Sequence, residues 1–110
     1  MTSLTRGDVV WVPFPHVEDN RLRPRPAIII ATGLGGALGL CWSLMVTSAA
    51  NRAWPGDITI ADHQAVGLPI QSRIRTAKVA TLEEASAKVI GRLPPEIWAQ
   101  VTAHVRDALA

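Results

Sequence analysis

Arg6-Gly7-Asp8-Val9-Val10-Trp11-Val12-Pro13-Phe14, followed shortly by Arg23-Pro24-Arg25-Pro26-Ala27-Ile28-Ile29-Ile30, is the stretch whose reading decides the fold of this chain. Apolar, β-branched runs bounded by Gly, Pro and charge read as short buried strands, here residues 9–14 and 27–32. A Gly-Asp turn leads into the first strand. Between the two lies the charged segment His16-Val17-Glu18-Asp19-Asn20-Arg21-Leu22, a loop that opens onto Arg25 at the entrance of the second strand. The pattern predicts a rigid β-scaffold holding out a guanidinium.

Further along, residues 38–46 form a third apolar run, and the glycine-rich lead-in at 33–39 predicts a hairpin connection. Gly33-Leu34-Gly35-Gly36 lacks the following Lys-Ser/Thr or the GxGxxG spacing of a phosphate cradle, so it is read as a turn. Asp57-Ile58-Thr59-Ile60 alternates as a half-exposed strand does. Residues 72–80 supply one or two strands more. Thr81-Leu82-Glu83-Glu84 fits a capping box, which predicts a short helix there. From Pro94 the period changes: Ile97, Val101, Val105 and Ala108, flanked by Trp98 and Leu109, make one apolar stripe of a terminal amphipathic helix. Five or six short strands with brief turns and one helix predict a mostly β fold, a small antiparallel barrel with the C-terminal helix packed on it.

With 110 residues, the chain is expected to form one domain spanning residues 1–110. Its apolar runs fall short of the roughly 18 to 20 residues that a membrane-spanning helix needs. Residues 1–5 are polar and lack the features of a secretory signal, so a cytoplasmic location without membrane contact is expected. Cys41 is the one cysteine, set beside Trp42 in an apolar run, which predicts a buried, inert thiol. His16, His63 and His104 are scattered, and no metal site is expected. His104 falls on the helix edge and His63 in a polar loop. Only His16, before Arg25, is kept as a candidate.

The net charge is +2, and nine of the eleven basic residues are Arg, the side chain whose planar fork matches phosphate. Composition alone is equally explained by an ordinary Arg-rich surface. A phosphate-binding role therefore has to come from motifs. One lies in Asn51-Arg52-Ala53-Trp54-Pro55, where Trp54 offers a stacking face and Arg52 a backbone contact to an unpaired base; an equal alternative is a Trp covering the barrel end or a dimer seam.

The order and spacing of these stretches, continued by Val46-Thr47-Ser48, Trp54-Pro55-Gly56-Asp57-Ile58, Gly67-Leu68-Pro69, Ser72-Arg73-Ile74-Arg75-Thr76-Ala77-Lys78 and Ile90-Gly91-Arg92-Leu93, resemble the MazF/PemK toxin family. The resemblance implies an SH3-like CcdB/MazF barrel, a homodimer with an RNA groove along the subunit boundary, and a metal-independent, cofactor-free endoribonuclease. It implies cleavage of single-stranded RNA through attack of the ribose 2′-hydroxyl, and partnership with a cognate antitoxin through which operator DNA is bound. Arg25 matches the family's phosphate-contacting Arg. A catalytic hydroxyl is implied at the end of the third strand, where Thr47 fits the Val-Thr-Ser pattern and Ser48 fits the distance back from Trp54. Arg75 matches an Arg that some PemK-type members use in cleavage. His16, Arg23, Asn51, Arg52, Trp54, Arg73 and Lys78 complete the set as candidate RNA contacts.

Two departures stand out. Ala77 occupies the place where those PemK-type members carry an Asp, which shifts the chemical burden to Arg25 and the hydroxyl, and the first loop is shorter and differently charged than in the family. Two rivals follow from the same resemblance: a degenerate member that only binds nucleic acid, and a gyrase poison of the CcdB type. Those poisons end in Trp-Gly-Ile, whereas this chain ends Arg106-Asp107-Ala108-Leu109-Ala110.

Overall fold

The computed structural model describes residues 3–15 and 22–110. In chain order the elements are β1 (Asp8–Pro15), β2 (Leu22–Leu34), β3 (Leu40–Ser48), β4 (Ile58–Thr59), β5 (Ser72–Glu83), β6 (Lys88–Arg92) and α1 (Pro95–Leu109), with 3-10 turns at Gly36–Leu38, Gln64–Val66 and Glu84–Ser86. The strands form one antiparallel sheet in the order β4-β5-β3-β2-β1-β6. His16 and residues 17–21 of the first loop lie outside the described residues.

Alternation sorts the apolar side chains onto two faces. Val9, Ile28, Leu44, Val46 and Ile74 face a core that Ile97 and Val101 of α1 cover, whereas Val10, Val12, Ala27, Ile29 and Met45 face a second cluster with Cys41 and Leu4. Each fully buried Ile or Leu contributes about 1.5–3 kcal/mol of transfer free energy. Burial, reinforced by the charge of Glu84, pushes the Cys41 thiol above its usual range, which keeps it protonated and inert.

The Gly7-Asp8 pair is a junction. Gly7, at φ +94°, donates its N–H to Ile29 O at 2.8 Å and accepts from Leu93 N at 2.9 Å. Asp8 is buried; its Oδ2 accepts from Thr5 N at 2.8 Å and its Oδ1 from Arg92 Nη1 at 3.0 Å. The motif that opens the fold thus ties the start of β1 to β2 and to the end of β6. Helix α1 begins at Pro95 after an extended Pro94, with Glu96 in its first turn and Arg106 in its last, as the dipole favours.

The small antiparallel barrel-like sheet with a C-terminal helix forms as expected, open rather than closed: β4 and β6 are its edges, and the 3-10 turn at Gln64–Val66 packs on β6. The approach is backbone on backbone, because a Cβ on Gly67 would overlap Ile90 O and one on Gly91 would overlap Val66 O. One expectation changes: Thr81 caps no helix. It pairs with Trp42 in β5, with Leu82 opposite Cys41 and Glu83 opposite Leu40, so strand pairing overrides the local capping signal, and only a 3-10 turn follows at Glu84–Ser86. Of the one or two strands expected from residues 72–80 there is one, a long strand whose register slips at residues 76–78, where Leu44 pairs with Val79 and Met45 with Arg75.

Replacing Gly91 by Ala is expected to lower the free energy of unfolding by about 3 kcal/mol, read from the urea midpoint, because the new methyl has rigid backbone rather than a flexible side chain in its way.

Candidate functional site

Pro24 and Pro26 carry no N–H to donate, and the ladder between β2 and β3 ends at the pair Ala27↔Met45, next to Pro26. Beyond it β2 pairs only with β1, through Trp11↔Pro26, Val12↔Arg25 and Pro13↔Pro24. β3 meanwhile continues along β5, with Val46↔Ile74, Thr47↔Arg73 and Ser48↔Ser72. Arg25 and Thr47 each lie two residues past the last shared pair. Antiparallel partners share a face, so Arg25, Ala27, Met45, Thr47, Arg73 and Arg75 belong to the same side of the sheet. Arg25 is exposed and Thr47 half-buried.

Parity also separates the two candidate hydroxyls. Ser48 is one residue on, so it belongs to the opposite side, and its Oγ accepts from Ala50 N at 3.2 Å while Asn51 N donates to Ser48 O at 3.0 Å. That is the local turn bonding expected of a strand-end serine. Thr47 Oγ1 instead accepts from Asn51 Nδ2 at 2.7 Å.

The segment after β3 is gripped from β5. Arg73 Nη1 donates to Asn51 O at 2.8 Å, and Arg75 Nη2 donates to Arg52 O at 2.6 Å. Two guanidinium groups spaced two residues apart on one strand face therefore hold two successive carbonyls. Arg75 is only 6% exposed. Its Nη2 lies 3.9 Å from Asp57 Oδ2, and its Cζ sits 4.0 Å from the centroid of the Trp54 ring. Asp57 closes the segment on itself: its N–H donates to Trp54 O at 3.1 Å and its Oδ2 accepts from Trp54 N at 2.9 Å. Pro55 followed by Gly56 at φ +86° gives this turn type II character. Thr76 Oγ1, at the edge of the β5 slip, donates to Gly56 O at 2.9 Å and ties the turn down.

Trp54 is 43% exposed, one ring face on the Arg75 guanidinium and a large part of the remainder facing solvent. Arg23, Arg52, Ala77 and Lys78 are exposed, with Ala77 and Lys78 in the β5 slip, and Arg73 is half-buried. The structure thus brings Thr47, Asn51, Arg52, Trp54, Arg73 and Arg75 into one connected cluster and places Arg25 on the same face across the opening. A guanidinium enclosed as Arg75 is supports the site from beneath; contact with a phosphate would require the Trp54 ring to move. The sequence reading missed Asp57 and Thr76. The signal was present in Trp54-Pro55-Gly56-Asp57, where Pro at the second and Gly at the third turn position place an Asp to reach back.

Among the described residues, no group of three or more His, Cys, Asp or Glu side chains could hold a metal ion, and no helix is long and apolar enough to cross a membrane. A groove of about 500 Å³ lies on the helix side of the sheet, lined by Ile30, Trp98, Val101 and Val105 with Arg6 and Arg106, and contains none of the predicted site residues.

Compared with solved structures, the fold is shared with MazF from Deinococcus radiodurans at TM-score 0.75 and 23% identity, covering 99% of this chain and 98% of that one. It is shared with the same organism's MazE-MazF complex at TM-score 0.74 and 22% identity, covering 100% and 98%. An endoribonuclease in complex with its cognate antitoxin, from a mycobacterial species, matches at TM-score 0.70 and 13% identity, covering 99% and 95%. Among curated proteins, none matches the sequence significantly. At these identities the likeness establishes the fold. The family model for the PemK-like, MazF-like toxin of type II toxin-antitoxin systems matches residues 5–109, nearly the whole length, and the chain belongs to that family.

Proposed function

We propose that this chain is the endoribonuclease toxin of a type II toxin-antitoxin pair, cutting single-stranded RNA in the cytoplasm without a metal ion or cofactor. The observation that carries the reading is the shared face of Arg25 and Thr47 at the point where β2 and β3 part, next to the exposed ring of Trp54. A guanidinium and a hydroxyl converging on one phosphodiester supply what the reaction demands, charge and hydrogen bonds on a crowded phosphorus. The 2′-hydroxyl oxygen attacks the adjacent phosphorus and gives up its proton to solvent, the P–O5′ bond breaks, and the departing 5′-oxygen takes up a proton from solvent, so the products carry a 2′,3′-cyclic phosphate and a 5′-hydroxyl. Because the nucleophile belongs to the substrate, no water has to be activated.

Arg25 takes the scissile phosphate, being permanently charged and able to donate to two oxygens. Thr47 donates to the same group. Ser48 shapes the turn behind it. Arg75, with Arg73, keeps the loop in place, and Trp54 stacks an unpaired base while Arg23, Arg52 and Lys78 meet the phosphate backbone; His16 remains a candidate RNA contact from the sequence. Ala77 carries no carboxylate, so stabilisation of the phosphorane by Arg25 and Thr47 bears most of the rate. The cognate antitoxin is a short chain whose acidic and apolar residues complement the Arg-rich rim. The toxin acts as a homodimer and reaches operator DNA through that antitoxin, as the family resemblance implies.

The test is incubation of the purified chain with unstructured and structured RNA in the presence of a chelator. Cleavage of the unstructured RNA with cyclic phosphate ends is expected; an inert chain would leave only nucleic-acid binding, and inhibition of gyrase without cleavage would favour the poison reading. Arg25→Ala is expected to slow cleavage by roughly a hundredfold or more with the fold retained, and a mutant as active as the parent removes Arg25 from the mechanism. Trp54→Ala is expected to weaken RNA binding by about 1–3 kcal/mol, measured by titration with a short non-cleavable RNA.

A further inference from the structure

The hydroxyl of Thr47 has one proton to give and two lone pairs, and one lone pair is already taken by the Asn51 amide, 2.7 Å away. The backbone that carries the amide is itself held: the Asn51 N–H donates to Ser48 O at 3.0 Å, and the Asn51 backbone carbonyl accepts from Arg73 Nη1 at 2.8 Å. Asn51 is exposed and Thr47 half-buried, so in the free chain the bond competes with water. Once RNA covers the surface and excludes water, the bond strengthens.

We propose that Asn51 is a positioning residue for the catalytic hydroxyl: by donating to Thr47 Oγ1 it makes Thr47 a directed donor, its O–H aimed at a non-bridging oxygen of the scissile phosphate. This rests on the catalytic role given to Thr47 above. Asn51 is then a positioning residue rather than the RNA contact expected from the sequence. Its loop anchors Arg73 and Arg75 act on the rate through the same relay, because they set where the amide stands. An acceptor in place of the amide reverses the geometry. A carboxylate at position 51 has no proton to give and takes the Thr47 O–H for itself, turning it away from the phosphate.

The experiment compares Asn51→Ala, Asn51→Asp, Thr47→Val, Thr47→Ser and the double variants of Asn51→Ala with each Thr47 substitution, in steady-state cleavage of a short single-stranded RNA, with thermal melting as the control for folding. Asn51→Ala is expected to lower kcat about tenfold with KM nearly unchanged. Asn51→Asp is expected to lower it about a hundredfold, as loss of a transition-state donor does. On top of Thr47→Val, Asn51→Ala is expected to cost nothing further. Thr47→Ser keeps the hydroxyl, and in that background Asn51→Ala is again expected to cost about tenfold. Additive losses in the double variant, a change in KM alone, or full activity in both Asn51 variants beside a slow Thr47→Val overturns the role of Asn51 and leaves that of Thr47 standing. A Thr47→Val variant that cleaves as fast as the parent overturns the role of Thr47 itself, and with it the relay.

Discussion

A single enclosed guanidinium holds the site together. Withdrawing a charged group from water costs several kcal/mol unless its surroundings compensate, and Arg75 obtains that compensation from three directions: the Arg52 carbonyl, the Asp57 carboxylate and the Trp54 ring. All three belong to one short segment after β3. The charge can stay buried only while that segment keeps its shape, so the cost of burial becomes a restraint on the loop. Compensation is incomplete, since Arg75 Nε and Asp57 Oδ1 are buried without a hydrogen-bond partner among the described residues. Unsatisfied atoms of this kind are uncommon in a core and are met where geometry serves a task other than stability.

The second constraint is negative. Prolines at 24 and 26 deprive β2 of donors where it would otherwise run on beside β3, and the ladder stops at Ala27↔Met45. A continued ladder there would have set Arg25 and Thr47 side by side as cross-strand neighbours with no opening between their strands. The break leaves both side chains on one face with an opening between them, and β1 supports the loose end of β2 through Val12↔Arg25. The Arg-Pro element thus combines the charge with the backbone defect that frees it.

Strand identity was readable from local pattern because β-branched runs ended by Gly and Pro have few other uses, and the terminal helix because Ile97 and Val101 keep helical spacing up to their burial against the sheet. The capping box at Thr81 misled because its chemistry is local while the pairing of Thr81 with Trp42 is not. Long-range pairing likewise distinguishes Thr47 from Ser48. In sequence they are adjacent hydroxyls, and only the register against β2 and β5 puts one on the face of Arg25. Arg75 was legible as a charge but not as a buried one, because nothing along the chain announces that Asp57 and Trp54 will enclose it. The slip at residues 76–78 is equally silent in the sequence, yet it exposes Ala77 and lets Thr76 bond Gly56 O.

If Trp54 stacks a base as proposed, these restraints bear on how tightly so small a surface can hold an RNA. A stacking side chain that has to be immobilised on binding gives up part of its contact energy as lost rotamer freedom. Trp54 gives up little, since the Arg75 cation beneath it, the bond from its own N–H to Asp57 and the tie from Thr76 to Gly56 hold its turn before any ligand arrives. The same segment carries Asn51, so the ring proposed to stack a base and the amide proposed to orient Thr47 sit on one braced loop. A displacement of that loop by an ångström would misplace stacking and catalysis together, and misplacements of that size can cost about a hundredfold in rate. On the proposed reading, a partner seated on the Trp54 side of the opening would reach the chemistry on the Thr47 side through this shared loop.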